Sequence, residues 1–176
     1  FETYYDTEYT LSKLSTSEYI RDQRFEALMM GVKIGKKKRV VIPGPKIKAF
    51  LKTIPWSTHS VLCHNVQFDG FILSHHYKIK PSFTYCSLSM ARGLFSNDIG
   101  ARLDEVSLYL GGKGKKKNQF GDSAVEDMKS IHFKELFANK SLWKQSTEYC
   151  RDDVEEMLGI FKTMHARYPK DEIELI

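Results

Sequence analysis

A chain of 176 residues, 41% hydrophobic and 28% charged, is long enough to bury one core and short for two. It holds no run of about 18 apolar residues that could span a membrane and no signal-peptide pattern, so no membrane partner and a cytoplasmic setting (a host's cytoplasm if the source is viral) are expected. Cys63, Cys86 and Cys150 make no CxxC pair and are odd in number, which argues against structural zinc and a disulfide framework and for free thiols in a reducing compartment. The net charge of +5 is clustered: residues 33–48 hold seven Lys or Arg and no acid, and residues 113–117 hold four Lys. Such clusters suit a polyanionic partner or a solvated face. Phe1 is not an initiator methionine, so the chain is expected to be cut from a longer protein.

Taken in order, residues 1–5 have the aromatic and β-branched composition of a strand. Polar residues 6–17 predict a loop and a turn. Residues 24–32 and 39–42 predict two strands joined by a hairpin tip at residues 35–38, with Pro43-Gly44-Pro45 ending the second. Ile47, Phe50, Leu51 and Ile54 have helical spacing, closed by Pro55. Residues 60–63 predict a strand, about 69–76 a helix, 83–86 a strand, and 88–95 and 103–110 helices. A Gly/Lys-rich loop fills 111–121, one or two short helices follow over 125–137, and a long helix over 141–168 is closed by Pro169. Strands first, then strands alternating with helices, then helices: the order is that of a mixed-sheet α/β domain spanning residues 1–176.

Three local patterns carry chemistry. Glu2 lies on the first strand. Asn65-x-x-Phe68-Asp69 lies where a strand hands over to a helix, the usual place for a functional carboxylate in an α/β fold. Tyr149 and Asp153, four apart on the last helix, face one side. Asp69 among apolar neighbours is costly unless a cation or a hydrogen-bond network offsets its charge. His64, His75, His76 and His132 lack paired ligand spacing and read as hydrogen-bonded or surface groups; Asp152, about 100° round the helix from Asp153, reads as surface.

Together and in this order, the patterns resemble the 3′→5′ exonuclease domains of the DEDD family, in the branch with tyrosine in its third motif. The chain is similar to the proofreading domains of bacteriophage and bacterial family A DNA polymerases. The first motif, Asp-x-Glu, is represented by Phe1-Glu2-Thr3, with its aspartate expected directly before Phe1 in the parent chain. The second is Asn65 to Asp69, and the third is Tyr149-x-x-x-Asp153. Glu148 stands where the histidine branch would need histidine. One further departure is Tyr85-Cys86-Ser87, where relatives often carry Asp-Thr.

The resemblance implies a ribonuclease H-like mixed, twisted sheet flanked by helices. It implies phosphodiester hydrolysis releasing nucleoside 5′-monophosphates, with two Mg²⁺ or Mn²⁺ ions about 4 Å apart. Glu2 and Asp153 would hold the metal that makes the nucleophile, Asp69 would support the second, and Tyr149 would orient the attacking water. Thr3, Asn65 and Phe68 would contact substrate or pack beneath it, and Lys115 and Lys116 would grip its backbone. The expected partner is a single-stranded or frayed 3′ end of DNA, with a polymerase domain following Ile176. The alternatives are an RNA-trimming exoribonuclease of the ribonuclease D type and a non-catalytic nucleic-acid-binding module.

Overall fold

The most apolar of the predicted strands becomes the middle of a sheet. β2 (Ala27–Val32) pairs antiparallel with β1 (Glu2–Thr3) on one side and with β3 (Val40–Pro43) on the other. Met29 opposes Glu2 across one seam and Pro43 across the other. Leu28 and Met29 are fully buried, each adding about 1.5–3 kcal/mol of burial energy. The computed structural model describes residues 1–114, 128–169 and 171.

The polar segment predicted as loop to residue 17 instead starts a helix, α1 (Thr16–Arg21). Ser15 and Glu18 form a capping box: Glu18 N–H donates to Ser15 Oγ at 3.3 Å, and Ser15 N–H donates to the Glu18 carboxylate at 2.9 Å. That pairing is readable in the sequence as Ser-x-x-Glu, and polar composition hid it. The helix buries Tyr19 and Ile20. Tyr19 stacks on Tyr9 at 4.2 Å and donates its hydroxyl to the carbonyl of Tyr4, next to β1. α2 (Gly44–Leu51) begins as soon as β3 ends, with Pro45 in its first turn, where its missing N–H costs nothing.

Contacts gather the chain into two units. The first is Phe1–Thr53 with Lys116–Val154; the second is Ile54–Lys115 with Glu155–Ile176. The first holds the antiparallel sheet, α1, α2 and, further along the chain, a short helix, α6 (Phe133–Ala138). In the second, β4 (Val61–Cys63) and β5 (Thr84–Cys86) pair in parallel, Cys63 opposite Cys86, through the crossover helix α3 (Val66–Tyr77). Lys78 closes α3 in the left-handed region, at φ 57°. α4 (Ser87–Phe95) and α5 (Leu103–Tyr109) complete this unit. The last helix, α7 (Lys140–His165), gives its first part to the first unit and its remainder to the second. There Ile160 and Met164 join Met90, Ala91, Phe95 and Val106 in one apolar core.

The chain is thus mixed α/β, as its element order predicts. Among the described residues its strands fall into an antiparallel sheet of three and a parallel sheet of two. No helix of the described residues is long and apolar enough to cross a membrane.

Candidate active site

α7 positions two of the predicted residues by periodicity alone. Tyr149 and Asp153 are four residues apart, and the tyrosine hydroxyl donates to the Asp153 carboxylate. Tyr149 is buried, 6% exposed. β1 brings Glu2 to the same place from the other end of the unit's sequence. Burial, then the charges of Asp153 and Glu2, hold the Tyr149 phenol well above its ordinary value of 10. The hydroxyl therefore stays protonated at neutral pH and acts as a donor, not as a base.

The next residue reports the same field. The Cys150 thiol is buried, and burial, then Glu2 and Asp153, push it up against a smaller lowering by the Gly31 N–H that donates to it. It stays a thiol, closed to use as a thiolate ligand. Gly31 on β2 allows this approach. A Cβ there would stand 2.8 Å from the carbonyl oxygen and from Sγ of Cys150, and 2.9 Å from Val154. Sequence reasoning passed over Gly31. The available signal was a glycine inside an apolar strand, which marks a close approach of backbone.

One turn of α7 is also tied to the sheet. Arg39 Nη1 donates to the carbonyl of Arg151 at 3.3 Å and lies 3.7 Å from Asp152. Asp152, predicted as surface, is one-third exposed and turned toward this cation. Thr3 Oγ1 lies 2.8 Å from the Tyr19 hydroxyl, so its side chain belongs to the aromatic packing beside β1.

Asn65, Phe68 and Asp69 belong to the second unit. The Asn65 carbonyl accepts from Phe68 N–H at 2.9 Å and from Asp69 N–H at 3.1 Å, which starts α3. The helix begins three residues earlier than predicted, and Asp69 stands in its first turn, where the helix dipole favours a carboxylate. Asn65 makes no side-chain cap bond. Phe68 and Asp69 are half-buried. The Asp69 charge, after burial, helps push the Cys63 thiol well above its ordinary value. His64 is hydrogen-bonded as predicted, 3.0 Å from Ser87 Oγ and 3.0 Å from the carbonyl of Ala101. Lys115 and Lys116 lie outside the described residues.

Glu2 and Asp153 are the part of the predicted ligand set that one unit brings together. Their carboxylates press on one buried phenol and one buried thiol, and two like charges gathered there favour a cation. With the thiol held protonated, the available donors are oxygens, which fit a hard divalent ion such as Mg²⁺ or Mn²⁺. Among the described residues no group of three or more His, Cys, Asp or Glu is arranged to hold a metal ion. No family model matches the chain, and no curated protein or solved structure matches it.

Proposed function

We propose that the protein is a metal-dependent 3′→5′ exonuclease acting on DNA, built on a ribonuclease H-like fold and serving as the proofreading domain of a DNA polymerase. The observation that carries the reading is the convergence of Glu2, Asp153 and the buried Tyr149, residues from opposite ends of the sequence, on one spot of the first unit. The motif order of the sequence supports the rest.

In this reading Glu2 and Asp153 hold one divalent cation in the first unit, and the motif position of Asp69, in the second unit, gives it the support of another. Bound cations supply Lewis-acid stabilisation of the phosphate and a nucleophile at neutral pH. Tyr149, its single proton given to Asp153, orients the attacking water by accepting a hydrogen bond from it at the phenol oxygen. Asn65 starts the helix on which Asp69 stands, and so positions that carboxylate. The basic net charge favours a polyanionic substrate.

The test uses a 5′-labelled oligonucleotide with Mn²⁺ or Mg²⁺ and the protein carrying an aspartate directly before Phe1. A ladder shortening from the 3′ end is expected. Asp153→Ala and Asp69→Ala should each slow it by about two orders of magnitude or more, the scale of removing one charge-stabilising group. A ladder that persists in both variants, or no cleavage by the unmutated protein, overturns the mechanism. Faster trimming of ribonucleotide than of deoxynucleotide ends would move the substrate to RNA.

A further inference from the structure

The first unit carries an aromatic group that the proposed cleavage does not use. Phe133 and Phe137, one turn apart on α6, stack at 5.4 Å with 22° between their planes. Trp143, in the first turn of α7, meets both edge-on at 5.9 and 5.1 Å. Leu136 is fully buried and anchors α6, whereas Phe137 is 52% exposed. Lys134, Lys140 and Lys144 lie within a few positions of the rings in sequence, all exposed, and among the described residues none has an ion-pair partner. Glu135 is the one acid between residues 128 and 147.

We infer that Phe133, Phe137 and Trp143 form a stacking platform for the bases of a single strand of nucleic acid, with Lys134, Lys140 and Lys144 taking its phosphates. Charge decides the occupant. A ring cluster with Phe137 exposed and Phe133 and Trp143 half-buried, near lysines without an ion-pair partner among the described residues, complements a ligand that is aromatic and anionic at once, as a single strand is. The inference rests on the exonuclease reading for its setting, but its test needs no cleavage.

The platform is held in place. Ser130 N–H donates to the carbonyl of Tyr5 at 2.8 Å, and the His132 ring stacks on Tyr4 at 4.1 Å. Glu26 accepts from Phe133 N–H at 3.3 Å and lies 2.6 Å from His132 Nδ1. These contacts fix the start of α6 beside the strand that carries Glu2. Trp143 precedes Tyr149 by six residues of α7, about 9 Å along the axis at ~1.5 Å per residue. That is two or three stacked nucleotides at about 3.4 Å each. Six residues at about 100° each also turn Trp143 about 120° round the helix from Tyr149, so a strand would run from one face of α7 to the next.

The experiment is fluorescence anisotropy of labelled oligo(dT) in EDTA, so that binding is read without cleavage. Phe137→Ala should weaken binding about five- to a hundredfold, the range for losing one base–aromatic stack. Lys134→Ala with Lys140→Ala should flatten the logarithmic salt dependence by about 1.4, at ~0.7 per phosphate contact on single strands. An abasic oligonucleotide of equal length should bind more weakly and not distinguish Phe137→Ala from the unmutated protein. In a Trp56→Phe background, oligo(dT) should quench the fluorescence of Trp143. Unchanged oligo(dT) affinity in Phe137→Ala, equal losses with the abasic strand, or no quenching overturns the platform. So does self-association that Phe137→Ala abolishes while strand binding is untouched. The two readings separate cleanly: a normal cleavage ladder with unchanged Phe137→Ala affinity removes the platform alone, and an intact Phe137 effect without any ladder removes the exonuclease alone.

Discussion

The two units hold their carboxylates in different ways. In the first, strand and helix meet so closely that Glu2 and Asp153 act on the same phenol and the same thiol. In the second, Asp69 stands in the first turn of a crossover helix, where its charge helps raise the Cys63 thiol. A paired site requires backbone contact between distant segments. A single carboxylate at a helix start requires only a local turn and a favourable dipole. Positions that let backbones touch should therefore matter more in the first unit than in the second.

Glycines test this difference most strongly. Gly31→Ala should cost about 1–3 kcal/mol, because its Cβ would meet the backbone oxygen of Cys150, which has no rotamer with which to retreat. Gly93→Ala on α4 is the counterpart in the second unit. Its Cβ would meet mainly the hydroxyl end of Tyr168, 2.9 Å away, a side chain able to shift. Helix propensity favours alanine there by about 1 kcal/mol, so the expected change runs from zero to that gain. Urea midpoints of both variants check the contrast, and a neutral Gly31→Ala would break it.

Alkaline pH gives a second test. The Tyr149 pKa is raised in the folded protein, so the unfolded chain ionises first. The contribution is full below about pH 10, the ordinary phenol value, and is lost as pH rises from there toward the folded value. Up to one proton is involved, about 1.4 kcal/mol per pH unit. Tyr149→Phe should flatten the fall of urea stability above pH 10 while leaving its slope near pH 7 unchanged. Tyr77 in the second unit, raised by burial alone, should show the same effect more weakly as Tyr77→Phe.

Helix starts give the smallest test. Ser15→Ala removes both bonds of the Ser15 hydroxyl to Glu18, leaving only the backbone N–H half of the capping box, and should cost about 1 kcal/mol. Asn65→Ala removes no cap bond, so its stability should stay within about 0.5 kcal/mol. A loss of activity in Asn65→Ala without a loss of stability would assign that side chain to the site.

Much of this was legible in advance. The apolar runs of β2, β4 and β5 and the spacing of α7 placed those elements within a few residues, because burial periodicity is written locally. The pairing of Tyr149 with Asp153 was legible for the same reason. α1 was missed although its cap pair was present, since polar composition outweighed a two-residue signal. Gly31 was missed because a glycine in a strand announces a close approach without saying to what. The aromatic platform was missed because Phe133, Phe137 and Trp143 are spread over two helices and an intervening turn.

The sequence by itself determined the α/β class, the period of each helix and the identity of the carboxylates that stand at element ends. Only the tertiary structure decided that Glu2, from the first strand, meets Tyr149 and Asp153, from the last helix, and that Cys150 is sealed behind them. The physical reason is range. Periodicity, caps and turns are settled among residues a few positions apart, whereas the meeting of residues nearly 150 positions apart depends on whether two backbones can approach, and Gly31 permits that approach.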